Sequence, residues 1–254
     1  VLININTAGG YKKSFIAILN HNMNSADAKV RITNSSTEGH VQAIDFQDGT
    51  PLANPAEVVN ADTISSSIVT PAADGNTIVR FDETTLTYFG IQFEGNGSGT
   101  FDGTTDLHVG CILIGEIYEM PHAPDLSVSR SVIYDGVKVQ ESIGGQRYGN
   151  MSNVGKQVTT TSIAPFATAL YPYSIHGGRI TYDLNFSYLA STDLMPDEMH
   201  SISTTDDAVI EDIWNKTNGS HIPFIFSIDK DSEGTNAESE HIFARFANNS
   251  LDMS

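Results

Sequence analysis

The sequence predicts a mainly β protein made of two strand-rich units. Apolar residues make up 39 % of the 254 residues and charged residues only 17 %. Gly, Asn, Ser and Thr fill much of the remainder, a mixture that suits strands joined by turns better than a helical bundle. Several short runs alternate apolar and polar residues, the two-residue period of a half-buried strand. The third observation is a change of character near the middle. The apolar run 107–122 ends at Pro121 and His122, and Ala123-Pro-Asp-Leu-Ser after it is polar and turn-rich. Residues 1–122 are therefore expected as a β-sandwich, and residues 123–254 as an α+β sandwich with one packed helix.

In the first unit, residues 11–19 contain Phe15-Ile-Ala-Ile-Leu19, and residues 28–33 contain Lys29-Val-Arg-Ile-Thr33. Both read as strands. His21-Asn-Met-Asn-Ser-Ala-Asp27 between them is a polar loop whose side chains hydrogen-bond their own backbone. Residues 34–75 hold turn chemistry (Asp48-Gly-Thr-Pro51, Ala53-Asn-Pro55, Ala72-Ala-Asp-Gly75), with short strands expected at 41–46 and 63–69. Residues 77–81, 86–93 and 107–118 are stronger strands, and Asn96-Gly-Ser-Gly-Thr-Phe-Asp-Gly103 reads as a glycine-rich turn.

In the second unit, residues 127–134 alternate, and Asp135-Gly136 predicts a hairpin into 137–141. Residues 144–150 form a flexible or partner-binding loop. Residues 177–189 read as one long strand with Ile180, Tyr182, Leu184, Phe186 and Tyr188 on one face. A helix follows, capped by Thr204 or Thr205, with Asp206 and Asp207 in its first turn and Gly219 ending it. Val209 with Ile213, and Ile210 with Trp214, pair at i, i+4. Residues 222–228 and 241–246 read as an antiparallel pair. Phe186, Trp214, Phe224, Phe226, Phe243 and Phe246 are candidate core aromatics. Trp214 is the expected anchor of helix to sheet, worth ~3–5 kcal/mol if buried.

The net charge is −18, about −10 through Asp125 and about −8 beyond it. Without a basic stripe, sequence-specific nucleic-acid binding is not expected, because polyanions are bound by Lys and Arg that displace counterions. Anionic lipid is disfavoured for the same reason. No apolar run reaches the ~18 residues that span a bilayer, so membrane insertion is not expected. The first residues lack a basic, signal-like segment, which suggests synthesis in a cytoplasm. The single Cys111 excludes an internal disulfide and is expected as a buried structural thiol.

No catalytic signature stands out. Gly95-Asn-Gly-Ser-Gly99 misplaces serine for a nucleophile elbow, and no phosphate loop or His-Glu-x-x-His occurs. His21, His122 and His176 flank turns, where surface or hydrogen-bonding roles are the default. The most specific pattern is Asp229-Lys-Asp231-Ser-Glu233-Gly234 through Glu240, close to a calcium-loop spacing. Asp229, Asp231, Glu233 and Glu240 are the candidate ligands, and calcium is the only cofactor the sequence suggests. Its strand-like flanks depart from a helix-loop-helix hand, and the alternative is a solvated hairpin loop.

Phe15-Ile-Ala-Ile-Leu-Asn-His-Asn-Met-Asn-Ser25 resembles the opening of a galactose-binding-like jelly roll found in phage tail components, and residues 107–121 resemble its closing strand. Residues 178–189, the helix with Trp214, and Pro223-Phe-Ile-Phe-Ser227 resemble the ring-forming unit related to tail-tube proteins. The chain thus resembles structural proteins of the tail tip of tailed bacteriophages, of the distal-tail or minor-tail kind. In the distal-tail family the ring unit usually comes first. Here the order is reversed, or one unit is inserted in the other. The resemblance implies a non-enzymatic virion protein, assembled in the host cytoplasm, that forms a ring of about six copies. That ring joins the tube to hub, fibres and other host-recognition parts. The rival reading is a carbohydrate-binding adhesin that holds a host-surface glycan through Tyr11, Tyr88 and Tyr118. A glycoside hydrolase with paired carboxylates is a third class.

Overall fold

The computed structural model describes residues 2–7, 9–42, 49–95, 105–134, 137–151, 178–195 and 208–250. The chain divides into two compact units. Val1–Met120 and Ser191–Ser254 form one, here the body, and Pro121–Ala190 form the other, the inserted unit. This differs from a single boundary at 122, because the last stretch of chain returns to the first unit.

The body is built on strands β1 (Leu2–Asn6), β2 (Lys13–His21) and β3 (Ala28–Ser35), a helical turn α1 (Gly39–Gln42), and strands β4 (Thr50–Pro51), β5 (Ala56–Val59), β6 (Thr63–Ser65), β7 (Ile68–Thr70), β8 (Gly75–Thr84), β9 (Tyr88–Gly95) and β10 (Val109–Gly115). Residues 41–42 are helical where a strand was expected at 41–46; residues 43–46, and the glycine-rich turn at 96–103, lie outside the described residues. One sheet has the order β1-β9-β3-β7-β6, with β4 paired to β3, and a second has the order β10-β2-β8-β5. All their pairings are antiparallel.

The two sheets face each other across one core. Val30, Ile32, Phe89, Ile91 and Phe93 come from the first, and Ile16, Ile18, Val79 and Phe81 from the second. Each side chain of this kind contributes ~1.5–3 kcal/mol of transfer free energy when buried. The alternation along β9 explains the register: Phe89, Ile91 and Phe93 point inward, while Tyr88, Gln92 and Glu94 point away from the core. On that outer face, Arg31 of β3 reaches Glu94 at 2.7 Å.

β2 breaks the alternation. Its odd residues Phe15, Ala17 and Leu19 belong to a second cluster on the far side of the sheet, with Ile78, Val59 and Leu113. A strand apolar on both faces needs cover on both. The C-terminal segment supplies it through Ile225 and Ala237. That segment contains α2 (Ser191–Leu194), a π-helical turn (Ile210–Asn215), β15 (Phe224–Ser227), a 3-10 helix (Thr235–Ser239) and β16 (His241–Ala244). β15 and β16 form the expected antiparallel pair.

Gly219 ends the π turn as expected, with φ +63° and its N–H donating to Trp214 O at 3.0 Å. The capping residues 204–207 lie outside the described residues. No helix among the described residues is long and apolar enough to cross a membrane.

The inserted unit holds β11 (Ser129–Ile133), β12 (Val137–Glu141), β13 (Arg147–Met151) and β14 (Arg179–Asp183). β11 pairs with β14 and β12 with β13, as separate two-stranded ribbons. The expected hairpin of β11 with β12 is therefore not made, and β11 takes a partner distant in sequence instead. Residues 144–150, expected as a loop, form a tight turn and the start of β13. In that turn Gly145 N–H donates to Ser142 O at 2.9 Å. β14 is shorter than the long strand expected over 177–189, and Tyr188 beyond it is 77 % exposed.

Candidate functional site

Where the C-terminal segment covers the second sheet, it leaves a crevice of about 400 Å³. Its floor comes from β2, β8 and β10 and its wall from the 3-10 helix, β15 and β16. Four contacts fix the wall. Gly234 bonds alongside β5, its N–H donating to Val58 O at 3.0 Å and its carbonyl accepting from Asn60 N–H at 3.3 Å. At φ +99° that residue has the backbone glycine adopts most readily. Arg80 of β8 meets Glu233 at 2.8 Å. Asn76 Nδ2 donates to Glu238 Oε1 at 2.8 Å. Lys216 meets Glu116, just past β10, at 2.7 Å.

The Glu238 carboxylate sits so close over β8 that a Cβ on Gly75, at φ +136°, would lie 2.9 Å from its Oε2. Asn76 Oδ1 in turn accepts from Asn20 N–H at 2.9 Å, so one amide side chain orients the carboxylate and closes the end of β2. His241 Nδ1 lies 3.1 Å from the Ala237 carbonyl. A carbonyl only accepts, so this contact puts the ring proton on Nδ1 and makes Nε2 the acceptor. Cys111, Ile225 and Phe243 complete the rim.

The crevice thus offers an engaged carboxylate and an imidazole beside the aliphatic side chains of Leu19, Val59, Ile78 and Ile225. Cys111 and His241 line the same crevice. Cys111 is exposed, not the buried thiol expected: it lies on β10, the edge strand of its sheet.

A second polar centre lies under the turn after β2. His21 is 4 % exposed. Its Nδ1 accepts from Met23 N–H at 3.2 Å, and its Nε2 donates to Thr77 Oγ1 at 2.8 Å. The Thr77 hydroxyl donates to Asn60 O at 3.1 Å. This arrangement uses the neutral ring, and burial pushes His21 down to about 4 despite the opposing charge of Asp74. Burial would raise Asp74, but hydrogen bonds from Ser25 and Asn24, together with His21, bring it below the usual carboxylate value. The sequence suggests a surface or hydrogen-bonding role for His21 beside a turn; the hydrogen bonds are made, and its burial is what the pattern does not show. The buried Met23 beneath the same turn (0 % exposed) was the available signal, since a methionine in a polar loop marks a loop folded over the core.

The candidate calcium ligands do not converge. Asp229 Oδ1 accepts from Asp231 N–H at 3.0 Å, Glu233 turns to Arg80, and Glu240 accepts from the Ser232 hydroxyl. Among the described residues no three His, Cys, Asp or Glu side chains gather as metal ligands.

Tyr11 precedes β2, Tyr88 opens β9 and Tyr118 follows β10. The register Asn6↔Tyr88 and Gly115↔Phe15 puts all three at the same end of the sandwich. Tyr11 is exposed and the other two half-buried. Trp214 is half-buried, its ring 5.0 Å from Phe246, which lies 4.9 Å from Phe224. Phe226 and Phe186 are half-buried as well, while Phe243 is 53 % exposed and not a core residue. His122 is exposed, and His176 lies outside the described residues.

The inserted unit presents the most unusual surface. Every residue of β11 and β12 is exposed. Val132, Ile133, Val139 and Tyr148 are among its exposed large apolar side chains, with Val139 at 62 %. The fold and site define a β-sandwich closed on one side by its own C-terminal hairpin, with a strand-built unit inserted between. No protein-family model, no curated protein and no solved structure matches this chain.

Proposed function

We propose that the chain is a non-enzymatic structural subunit that assembles with copies of itself. The observation that carries this reading is the inserted unit. Two-stranded ribbons are at best marginal alone in water. These ribbons expose Val132, Ile133, Val139 and Tyr148, which a partner would bury. Among the described residues their outer edges have no strand partner, and such edges invite strand addition.

In its specific form the proposal is a ring of about six copies at the distal end of a bacteriophage tail, contacting tube, hub and fibre proteins of the virion. The two facing sheets support a jelly-roll of the galactose-binding-like kind for the sandwich. The two-stranded ribbons β11–β14 and β12–β13 support a ring-forming, tail-tube-like role for the inserted unit. The order departs from the distal-tail family, where the ring unit usually comes first, and the residues that resemble that unit are divided here, 178–189 lying in the inserted unit and 223–227 in the body. Electron microscopy of the purified full chain tests it: closed rings are expected, and particles of single-chain size contradict it.

A carbohydrate-binding adhesin is the second reading, favoured by the placement of Tyr11, Tyr88 and Tyr118 at one end of the sandwich. Specific signals on a glycan array, lost in Tyr88→Ala, would favour it over the ring.

A further inference from the structure

The structural division redistributes the charge. Read along the sequence, the acid excess is spread over both halves. Read by compact unit, it belongs to one. Residues 121–190 carry four Asp and Glu against five Lys and Arg, net +1. The body carries 27 acids against eight bases, net −19. The same inserted residues hold the exposed ribbons. Their apolar side chains are interleaved with Arg130, Lys138, Arg147 and Arg179, and every residue of β12, Lys138 included, lies at the surface.

Three pairings between copies could cover these ribbons or their surroundings. Body against body brings two strongly acidic surfaces together and is opposed. Inserted unit against inserted unit is electrostatically indifferent. Inserted unit against body is the one pairing with charges of opposite sign. Apolar burial supplies the affinity in such a contact, and charge selects which surfaces meet. The Debye length of ~8 Å at physiological salt confines that selection to close approach and makes it salt-sensitive.

We propose that residues 121–190 of one copy dock on the acidic body of a second copy. The contact joins two different surfaces, so it repeats from copy to copy and closes into a ring if the rotation permits. The inference rests on the self-assembly reading above and names the surfaces that reading leaves open.

The test mixes full-length chain grown in ¹⁵N with unlabelled chain and joins Lys to carboxylates with a zero-length carbodiimide. Mixed-isotope peptides report links between copies only. Lys138 is expected joined to Asp or Glu of the body. Association is expected to weaken ~10-fold between low and high salt and several-fold in Lys138→Glu, while Lys138→Arg retains it. Mixed-isotope links of Lys138 only to carboxylates within 121–190, or association indifferent to salt and to Lys138→Glu, would overturn the docking while leaving self-assembly intact. A chain that stays monomeric at every concentration would overturn both.

Discussion

The body and the inserted unit are both made of antiparallel strands, yet they solve opposite problems. Strand β2 in the body is covered on both faces, by the facing sheet and by the C-terminal segment. Strands β11 and β12 in the inserted unit are covered on neither. The body hides Phe89 and Ile91 completely, whereas the inserted unit leaves Val139 more than half exposed. Strand content alone therefore says little about where stability comes from. In the body it comes from three stacked layers within one chain. In the inserted unit the described ribbons leave apolar side chains exposed, which under the proposed self-assembly other copies would cover.

The largest effect that would sharpen this contrast is at Phe89, which is 0 % exposed with its ring 6.2 Å from Phe81. Phe89→Ala should cost ~3–5 kcal/mol in denaturant unfolding. Val139→Ala should change the monomer's stability by no more than ~0.5 kcal/mol and act on association instead. Equal losses at both sites would break the contrast.

Acid should weaken the body next. The folded value of about 4 for His21 lies below its unfolded value of ~6.5. A depressed value favours the neutral ring, so this contribution is complete above pH ~6.5 and is lost as pH falls toward 4. The loss should reach ~1–3 kcal/mol in unfolding curves run across that window. His21→Gln should flatten that part of the slope.

Gly75→Ala comes third. It combines a left-handed backbone with an approach of 2.9 Å to Glu238, and should cost ~1–2 kcal/mol. Limited proteolysis should show residues 233–244 cut sooner than β9. The smallest effect is expected from Glu233→Gln, because the Arg80–Glu233 pair has side chains 49 % and 43 % exposed. Its loss should stay below ~1 kcal/mol in the same unfolding curves.

The sandwich was legible because strands such as β3 and β9 sort apolar and polar residues to opposite faces. The β15–β16 pair and the stop at Gly219 were legible from local pattern too. The return of the C-terminal segment to the body was not, although Phe15-Ile-Ala-Ile-Leu19 carried a trace of it. An unbroken apolar run, unlike an alternating one, asks for cover on both sides. Which segment gives that cover is a long-range fact that no local pattern encodes.

Asp135-Gly136 misled for the converse reason. The chain does turn there, Val137 N–H donating to Tyr134 O at 3.1 Å, but β11 takes its partner in β14. The four carboxylates of the calcium spacing do not gather, since sequence fixes the order of carboxylates but not their direction, and Glu233 meets Arg80. Cys111 was misjudged because an apolar strand at a sheet edge still has an open side.

The central claim is that the ribbons of the inserted unit are covered by other copies. Backbone amide exchange over 129–133 and 137–141, followed against protein concentration, tests it most directly. The account predicts slow exchange at high concentration that speeds up on dilution, while β2 and β9 stay protected throughout. Ribbon exchange that is fast and indifferent to concentration would contradict it.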